Sequence, residues 1–243
     1  MIGLGTIINV GAVILGGLIG IPAGRHLQER FQKIITTAMG LAVSAMALSG
    51  IVAKMLVPTE NGFDTAGTYM LIFSLVLGAV TGELIDVDGK MERFGTWLKQ
   101  KTGSAKDAQF VDGFLDASFT VCIGAMAVVG AITDGLTGDF SILLTKSILD
   151  FVILIVLSAA KGKGCIFSAI PVAVLQGFFT LAARLIQPVL TDVAMHNLSL
   201  SGSVLILCVG INLLGDGRYR IKVANLLPTI VFAVIAAFIP FLK

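Results

Sequence analysis

Charged residues are scarce in this chain of 243 residues. Asp, Glu, Lys and Arg together make up 13% of it and hydrophobic residues 56%, whereas soluble proteins are roughly 25% charged. This composition excludes an ordinary soluble domain. The net charge of only +2 also offers no basic surface for nucleic acid, so no nucleic-acid partner is predicted.

Motifs of catalysis and metal binding are absent as well. The sequence has no GxxxxGK phosphate loop, no HExxH pair and no GxSxG nucleophile turn. Its two histidines and three cysteines (Cys122, Cys165 and Cys208) show no metal-ligand spacing. These absences predict a protein that is not an enzyme and that carries no cofactor or metal.

Long apolar segments dominate what the sequence does contain. A bilayer core about 30 Å thick is crossed by about 20 apolar residues in a helix, and eight segments approach or exceed that length. We therefore predict an all-α, polytopic transmembrane helix bundle of about eight spans, forming a single integral membrane domain over residues 1–243. The predicted spans run approximately over residues 2–22, 34–57, 69–87, 110–133, 140–160, 165–187, 199–215 and 223–242.

The positions of the basic residues predict the orientation of these spans. Most of the 17 Lys and Arg residues fall in alternate loops, and basic loops face the cytoplasm. The first such loop directly follows the first span and carries Arg25, Arg30 and Lys33. Both termini are therefore predicted to lie outside the cytoplasm.

One predicted cytoplasmic connection, residues 88–109, has an amphipathic pattern. Met91, Phe94, Trp97 and Leu98 recur at helical spacing among charged residues. This pattern is typical of a helix that lies at the headgroup level of a membrane. We therefore predict a cytoplasmic interfacial segment here.

A short internal likeness links two of the spans. Residues 122–126 read Cys-Ile-Gly-Ala-Met, and residues 208–212 read Cys-Val-Gly-Ile-Asn. On the predicted topology the two segments cross the membrane in opposite directions. The likeness is therefore either an inverted internal repeat, as in many secondary transporters, or chance.

Two opposite charges inside the span 140–160 are the strongest candidates for a functional site. Lys146 and Asp150 are four residues apart, on one face of a helix. A charge at the bilayer centre costs about 2.5–3.5 kcal/mol on insertion scales, so ionisable residues there are functional candidates. Either the two charges neutralise each other, or Lys146 also meets Asp116 in the preceding span and a solute or proton rearranges the three.

Uncharged and acidic side chains in other spans extend this candidate pathway. Asp116 and Thr120 share a face of the span 110–133. Asn9 and Asn212 would supply neutral ligands from the first and seventh spans. The alternative for each of them is a structural hydrogen bond to a neighbouring helix.

The third span ends in an acidic cluster that includes Glu83 and Asp86. These carboxylates are predicted to lie at the cytoplasmic mouth. They are either solvated and paired with nearby basic residues, or they form a vestibule for a cation.

The residues also resemble a known family. The resemblance rests on Gly5-Thr6-Ile7-Ile8-Asn9, on 78–94 with its final Glu-Arg-Phe, on 119–126, on Lys146-Ser147-x-x-Asp150 and on Asn225-Leu226-Leu227-Pro228. Together these segments resemble the YqgA/YdfK-like family of bacterial inner-membrane proteins, domain of unknown function 554. The resemblance implies a multi-pass protein of the bacterial inner (plasma) membrane and supplies no substrate.

These features predict a small-solute or ion transporter, or a channel, with a polar site near the middle of the membrane. Its partners would be the lipid bilayer and the solute or ion. Small-residue seams on the spans would serve either a homodimer or contacts within one subunit. The alternative is a non-transporting scaffold or sensor, which would act on partner proteins through the segment 88–109.

Overall fold

The computed structural model describes residues 1–25, 27–59, 62–215 and 220–240, and these form a bundle of helices. The helices are α1 (Leu4–Arg25), α2 (Glu29–Met55), α3 (Thr68–Ile85), α4 (Val87–Lys101), α5 (Phe110–Cys122), α6 (Ala125–Thr137), α7 (Ser141–Lys161), α8 (Ala169–Leu181), α9 (Ala183–Ile186), α10 (Asp192–Leu214), α11 (Val223–Leu226) and α12 (Pro228–Ala236). Two 3-10 segments (Gly162–Ser168 and Gln187–Val189) and an antiparallel hairpin of β1 (Leu56–Thr59) and β2 (Gly62–Thr65) complete the described elements. The predicted all-α transmembrane bundle is confirmed.

The number of spans is less definite than the fold class. Five described helical stretches are long and apolar enough to cross a membrane, and the bent pair α5–α6 would be a sixth. One of the five, Ser141–Leu181, contains both α7 and α8. The last predicted span, 223–242, contains the short helices α11 and α12. The count of eight therefore stays a prediction.

Helix α1 packs along α7 in the same direction. Gly5 near the start of α1 lies against Leu143, and Gly24 near its end lies against Ala159. A Cβ at either glycine would overlap atoms of α7. Glycine therefore permits the close approach of these two backbones.

Helix α8 runs back along α1 in the opposite direction. Gly17 lies against Ile166, and the hydroxyl of Thr6 lies 3.3 Å from that of Thr180. The chain therefore reverses in the 3-10 segment Gly162–Ser168. Consequently α7 and α8 are two antiparallel helices, and only the 3-10 segment joins them.

Helix α2 packs antiparallel to α10. Gly40 lies against Leu214, and Gly50 lies against Ser203. Helix α3 contacts α11 and α12 in the same antiparallel manner. The bundle is therefore held by helix pairs whose members are far apart in sequence.

The fourth predicted span, 110–133, is interrupted near its middle. Helix α5 ends at Cys122, and α6 leaves at an angle of 59°. Ile123 is extended, and Gly124 has a φ of +144°, which strains any residue with a side chain. Residues 208–212 lie inside the continuous helix α10. The two segments of the proposed inverted repeat therefore differ in conformation.

Two predicted boundaries differ from the structure for local reasons. Helix α10 begins at Asp192 instead of residue 199, and the Thr191 side chain caps it by accepting from the N–H of Ala194. Helix α2 ends at Met55 and the chain enters β1, because Pro58 disfavours helical backbone at the residue before it.

The predicted amphipathic segment 88–109 begins with helix α4. Phe94 packs on Phe114 of α5, with ring centroids 5.8 Å apart, and Leu98 is buried. Trp97 remains half exposed. One side of α4 therefore packs on the bundle and the other is free, while its place at a membrane surface stays a prediction.

The described parts of the loops predicted to be cytoplasmic lie together at one end of the bundle. There, Gly164 contacts Phe110 at the start of α5, and Gly24 contacts the end of α7. At the opposite end, the backbone of Gly3 meets the side chain of Asp134. The connections between helices therefore alternate between the two ends of the bundle in the predicted order.

Candidate functional site

The Lys146–Asp150 ion pair lies in the interior of the bundle. The spacing of four residues puts both side chains on one face of α7, and Lys146 Nζ donates to both carboxylate oxygens of Asp150, at 2.8 and 2.7 Å. Lys146 is 7% exposed and Asp150 2%. The first of the two predicted alternatives, a pair that neutralises itself, is therefore the arrangement that the structure contains.

Asn9 faces this pair from α1. The parallel register of α1 and α7 sets Asn9 at the depth of Lys146, and its amide is close enough to Asp150 to interact with the carboxylate. Asn9 is fully buried. Within the described residues, neither atom of its side-chain amide makes a hydrogen bond of acceptable geometry.

Gln176 on α8 is a second buried amide at the same depth. The antiparallel register of α1 and α8, fixed by Thr6 with Thr180 and by Gly17 with Ile166, sets Gln176 level with Asn9. Gln176 is fully buried, and both of its amide atoms also lack a partner in the described part of the chain. Gln176 is a functional candidate beyond the predicted set, and its sequence signal was one amide inside an apolar helix.

The break between α5 and α6 lies close to the ion pair. The thiol of Cys122, the last residue of α5, is within electrostatic range of both Lys146 and Asp150. A helix break frees carbonyl groups at the end of one helix and N–H groups at the start of the next. Discontinuous helices of this kind hold ions and charged groups in many transporters. We call the pair, Asn9, Gln176 and this break the central site.

Asp116 lies away from the central site, toward the other end of α5. Its carboxylate is bonded to Lys161 at the end of α7, and Arg220 Nη2 lies 3.8 Å from it. The predicted contact between Lys146 and Asp116 is therefore wrong. Thr120 donates its hydroxyl to the Asp116 backbone carbonyl at 2.7 Å, which is a bond within α5.

A polar groove of 460 Å³ reaches this second ion pair from the basic end of the bundle. It lies between α2, α7 and the end of α10. Its walls include Gln32, Lys33, Gln109 and Lys161. Lys161 thus both lines the groove and binds Asp116.

Asn212 has a structural role in the chain that follows α10. Its Nδ2 donates to the carbonyl of Ile221 at 2.8 Å, and its Oδ1 accepts from the N–H of the same residue at 2.8 Å. Both polar atoms of the amide are therefore hydrogen-bonded, and the structure does not bring it to Lys146 and Asp150. The second predicted alternative, a structural hydrogen bond, describes it.

The predicted vestibule residues are also engaged by neighbours. Glu83 accepts from Lys222 at 3.0 Å and from Asn225 at 2.6 Å, and its carboxylate raises the pKa of Lys222. Asp86 caps α4 by accepting from the N–H of Gly89 at 3.2 Å. Glu83 thus joins α3 to the start of α11, and Asp86 stabilises the start of α4.

Asp134 is a buried carboxylate that the sequence analysis missed. It is fully buried on α6, and its two oxygens accept from the backbone N–H groups of Gly3 and Gly5, at 3.2 and 2.9 Å. The partial positive charge at the start of α1 compensates the carboxylate. Among the described residues no group of three His, Cys, Asp or Glu side chains is placed to hold a metal ion.

Comparison with known proteins agrees with the resemblance seen in the motifs. The chain is 26% identical to the "Uncharacterized membrane protein YdfK" of Bacillus subtilis (strain 168) over 235 residues, which cover 97% of this chain and 96% of that protein. It is also 26% identical to the "Uncharacterized protein YqgA" of Escherichia coli (strain K12) over 234 residues, which cover 95% of this chain and 94% of that protein. No solved structure matches. The family model "Protein of unknown function (DUF554)" matches residues 4–238, and the chain therefore belongs to the DUF554 family, with the membrane character that its helices display.

Proposed function

We propose that this protein carries a small charged solute or ion across the bacterial inner (plasma) membrane, as a transporter or channel, and binds it at the central site. The observation that supports this most directly is that two buried amides without a well-formed hydrogen bond lie at the depth of a buried ion pair. The side-chain amides of Asn9 and Gln176 have four polar atoms without a hydrogen bond of acceptable geometry in the described chain, at the depth of Lys146 and Asp150.

The cost of this arrangement argues for a binding role. A buried polar group without a partner costs about 1–3 kcal/mol, and an ion pair inside a protein is often no more stable than apolar side chains of the same volume. A purely structural core would be more stable with leucines at these positions. Donors and acceptors gathered at one depth suit a solute that completes their hydrogen bonds.

The Lys146–Asp150 pair suits the binding of either charge. An anion would bind Lys146 if Asp150 takes up a proton, and a cation would bind Asp150 if Lys146 releases one. This proton exchange keeps the displaced partner neutral and so avoids a bare charge in the apolar interior, which is the costly state.

In the proposed mechanism the polar groove at the basic end is the entrance for the solute. That end faces the cytoplasm in the proposed orientation, because basic loops are retained there. The pair formed by Asp116 and Lys161 lies at the inner side of the groove. We assign it the role of a cytoplasmic gate in the proposed mechanism.

Flux measurements test the proposal. The purified protein, reconstituted in liposomes, is assayed with protons, Na⁺, K⁺, amino acids and organic anions. We expect flux of at least one of these solutes. Asp150→Asn and Lys146→Met should abolish that flux in protein that elutes as a folded species in size-exclusion chromatography.

Matched control variants make the same chemical changes at exposed positions. Asp64→Asn in β2 and Lys101→Met at the end of α4 should leave the flux unchanged. Wild-type flux in both central-site variants would remove the ion pair from the mechanism. Absence of flux for every solute in the panel would contradict transport and favour the scaffold or sensor alternative.

A further inference from the structure

An apolar crevice lies on the far side of the α5–α6 break. Its volume is 370 Å³, within the range of small-molecule sites. Helices α5, α6, α8, α10 and α12 contribute to its walls. The wall residues include Phe119, Val128, Leu175, Phe179, Leu198 and Ile230.

The walls offer little to a polar ligand. None of the described residues that line the crevice is charged. Ser118 contributes a hydroxyl, but it donates to the carbonyl of Phe114 at 2.6 Å within α5. Cys122 contributes a thiol, which is a weak donor. The walls therefore suit an occupant that makes no hydrogen bonds.

The crevice is open toward the lipid-facing surface of the bundle. Val174 of α8 and Val231 of α12 lie on its rim, and they are 68% and 59% exposed. Lipid tails are as apolar as such side chains and cover them in a membrane. The crevice is thus continuous with the surface that contacts lipid, and the hydrocarbon of the bilayer reaches it without crossing water.

The crevice lies near the centre of the bilayer. Gly202 lines it and stands close to the middle of α10, which is long enough to cross the membrane. Along α8 the crevice extends from Pro171 to Phe179, or about 12 Å at a rise of 1.5 Å per residue. The surfaces of a hydrocarbon core about 30 Å thick are about 15 Å from its centre. Acyl chains fill the bilayer at this depth, and headgroups do not.

We infer that the crevice is a binding site for one acyl chain of a bilayer phospholipid. The end of the chain would lie against Ile123 and Gly124 and fill the space beside the break. There it supplies the dispersion contacts that the wall side chains lack on their open side. Water is a poor alternative, because these walls give it few hydrogen bonds. The inference needs neither the ion pair nor transport, and so it is independent of the proposed function.

Tryptophan fluorescence tests the inference, because the protein has a single tryptophan, Trp97. In a Trp97→Phe background, Phe119→Trp puts the probe in the crevice wall. Phe114→Trp is the matched control on α5, where the side chain is fully buried away from the crevice. The nanodiscs contain phosphatidylcholine with bromine near the ends of its chains, and bromine quenches tryptophan at short range. Phe119→Trp should lose most of its emission, whereas Phe114→Trp should keep it.

A variant that fills the crevice separates a bound chain from the surrounding lipid. A Cβ at Gly202 has the Gly124 Cα 3.7 Å away and so meets no clash. Gly202→Leu therefore extends a side chain into the crevice, and it should restore the emission of Phe119→Trp. Phe178→Trp, at a position of α8 that is 59% exposed, should be quenched with or without Gly202→Leu.

A titration in detergent micelles tests the inference even if Gly202→Leu does not fold. Brominated phosphatidylcholine is added to the solubilised protein. Quenching of Phe119→Trp should saturate at low lipid content, as expected of a site. Quenching of Phe178→Trp should instead rise in proportion to the lipid content of the micelle.

Three outcomes would overturn the inference. Full emission of Phe119→Trp in brominated nanodiscs would show a crevice that is closed to lipid or covered by a second copy of the protein. Undiminished quenching of Phe119→Trp in folded Gly202→Leu would show that the quenching chains lie outside the crevice. Proportional titration curves for both probes would show contact with surrounding lipid and no site. Each result holds whether or not the protein transports a solute.

Discussion

The carboxylate of Asp134 accepts a hydrogen bond from the backbone N–H of Gly5 at 2.9 Å, across 129 positions of the sequence. It accepts a second from Gly3 at 3.2 Å. The start of α1 is thus capped by a side chain from α6 rather than by a residue of its own.

This cap predicts the effect of Asp134→Ala. Loss of an acceptor at a helix start costs about 0.5–2 kcal/mol, and two N–H groups lose their partner here. Hydrogen exchange measured by mass spectrometry should therefore quicken in residues 3–9. Asp64→Ala, on the exposed hairpin, should leave these amides as slow as in the wild type, and equal exchange in Asp134→Ala would contradict the role of the cap.

The Lys146–Asp150 pair predicts the result of a double-mutant cycle on the free energy of unfolding. Removal of one partner of a buried pair costs about 3–5 kcal/mol, because the other charge is left uncompensated, whereas apolar replacement of both is close to neutral. In chemical unfolding in mild detergent, Lys146→Met and Asp150→Leu should each destabilise the protein, and the double variant should recover most of the loss. Arg93→Met, at an exposed pair of 3.4 Å, should change stability by less than about 1 kcal/mol. Additive losses in the double variant would mean that the pair does not form.

The contact of α3 with α11 predicts that Gly82 accepts no larger residue. A Cβ at Gly82 would overlap the backbone carbonyl of Asn225, and backbone cannot move aside as a flexible side chain can. Gly82→Ala should cost about 1–3 kcal/mol by overpacking. Gly177→Ala, where a Cβ meets nothing within 4 Å, should be neutral or stabilising. Equal thermal stability of the two variants would contradict the close packing.

The two ends of the bundle predict a labelling pattern in cells. Asp139 precedes α7, and Lys101 ends α4 at the opposite, basic end. In a background without the native cysteines, Asp139→Cys should react with a membrane-impermeant maleimide added to spheroplasts. Lys101→Cys should react only after the membrane is opened. The reverse pattern would invert the proposed orientation.

Local features of the fold were predictable from the sequence. The order of the helices follows from runs of apolar residues, and α4 follows from the periodic Met91 and Phe94. Lys146 and Asp150 share a face because their spacing is a property of any helix. The sequence therefore predicted this part of the central site without knowledge of tertiary structure.

Tertiary contacts were not predictable in the same way. Asp116 binds Lys161, which the hydropathy pattern placed in a loop, and only the packing of α5 against α7 brings these two side chains together. Gln176 and Asp134 became evident only once the register of α8 and α6 against α1 was known. The break at Gly124 depends on its backbone conformation, because an apolar sequence with one glycine is equally compatible with a continuous helix.

The pairing of α1 with α7 has a consequence for how the protein is made. Helix α1 ends at Arg25, and α7 begins only at Ser141. At about 5–20 residues per second, the ribosome reaches the end of α7 roughly ten seconds after α1 has emerged. During that interval α1 lacks its α7 partner, so its retention in the membrane depends largely on its own hydropathy. Substitutions that make α1 more polar should therefore reduce insertion during synthesis before they affect the finished protein.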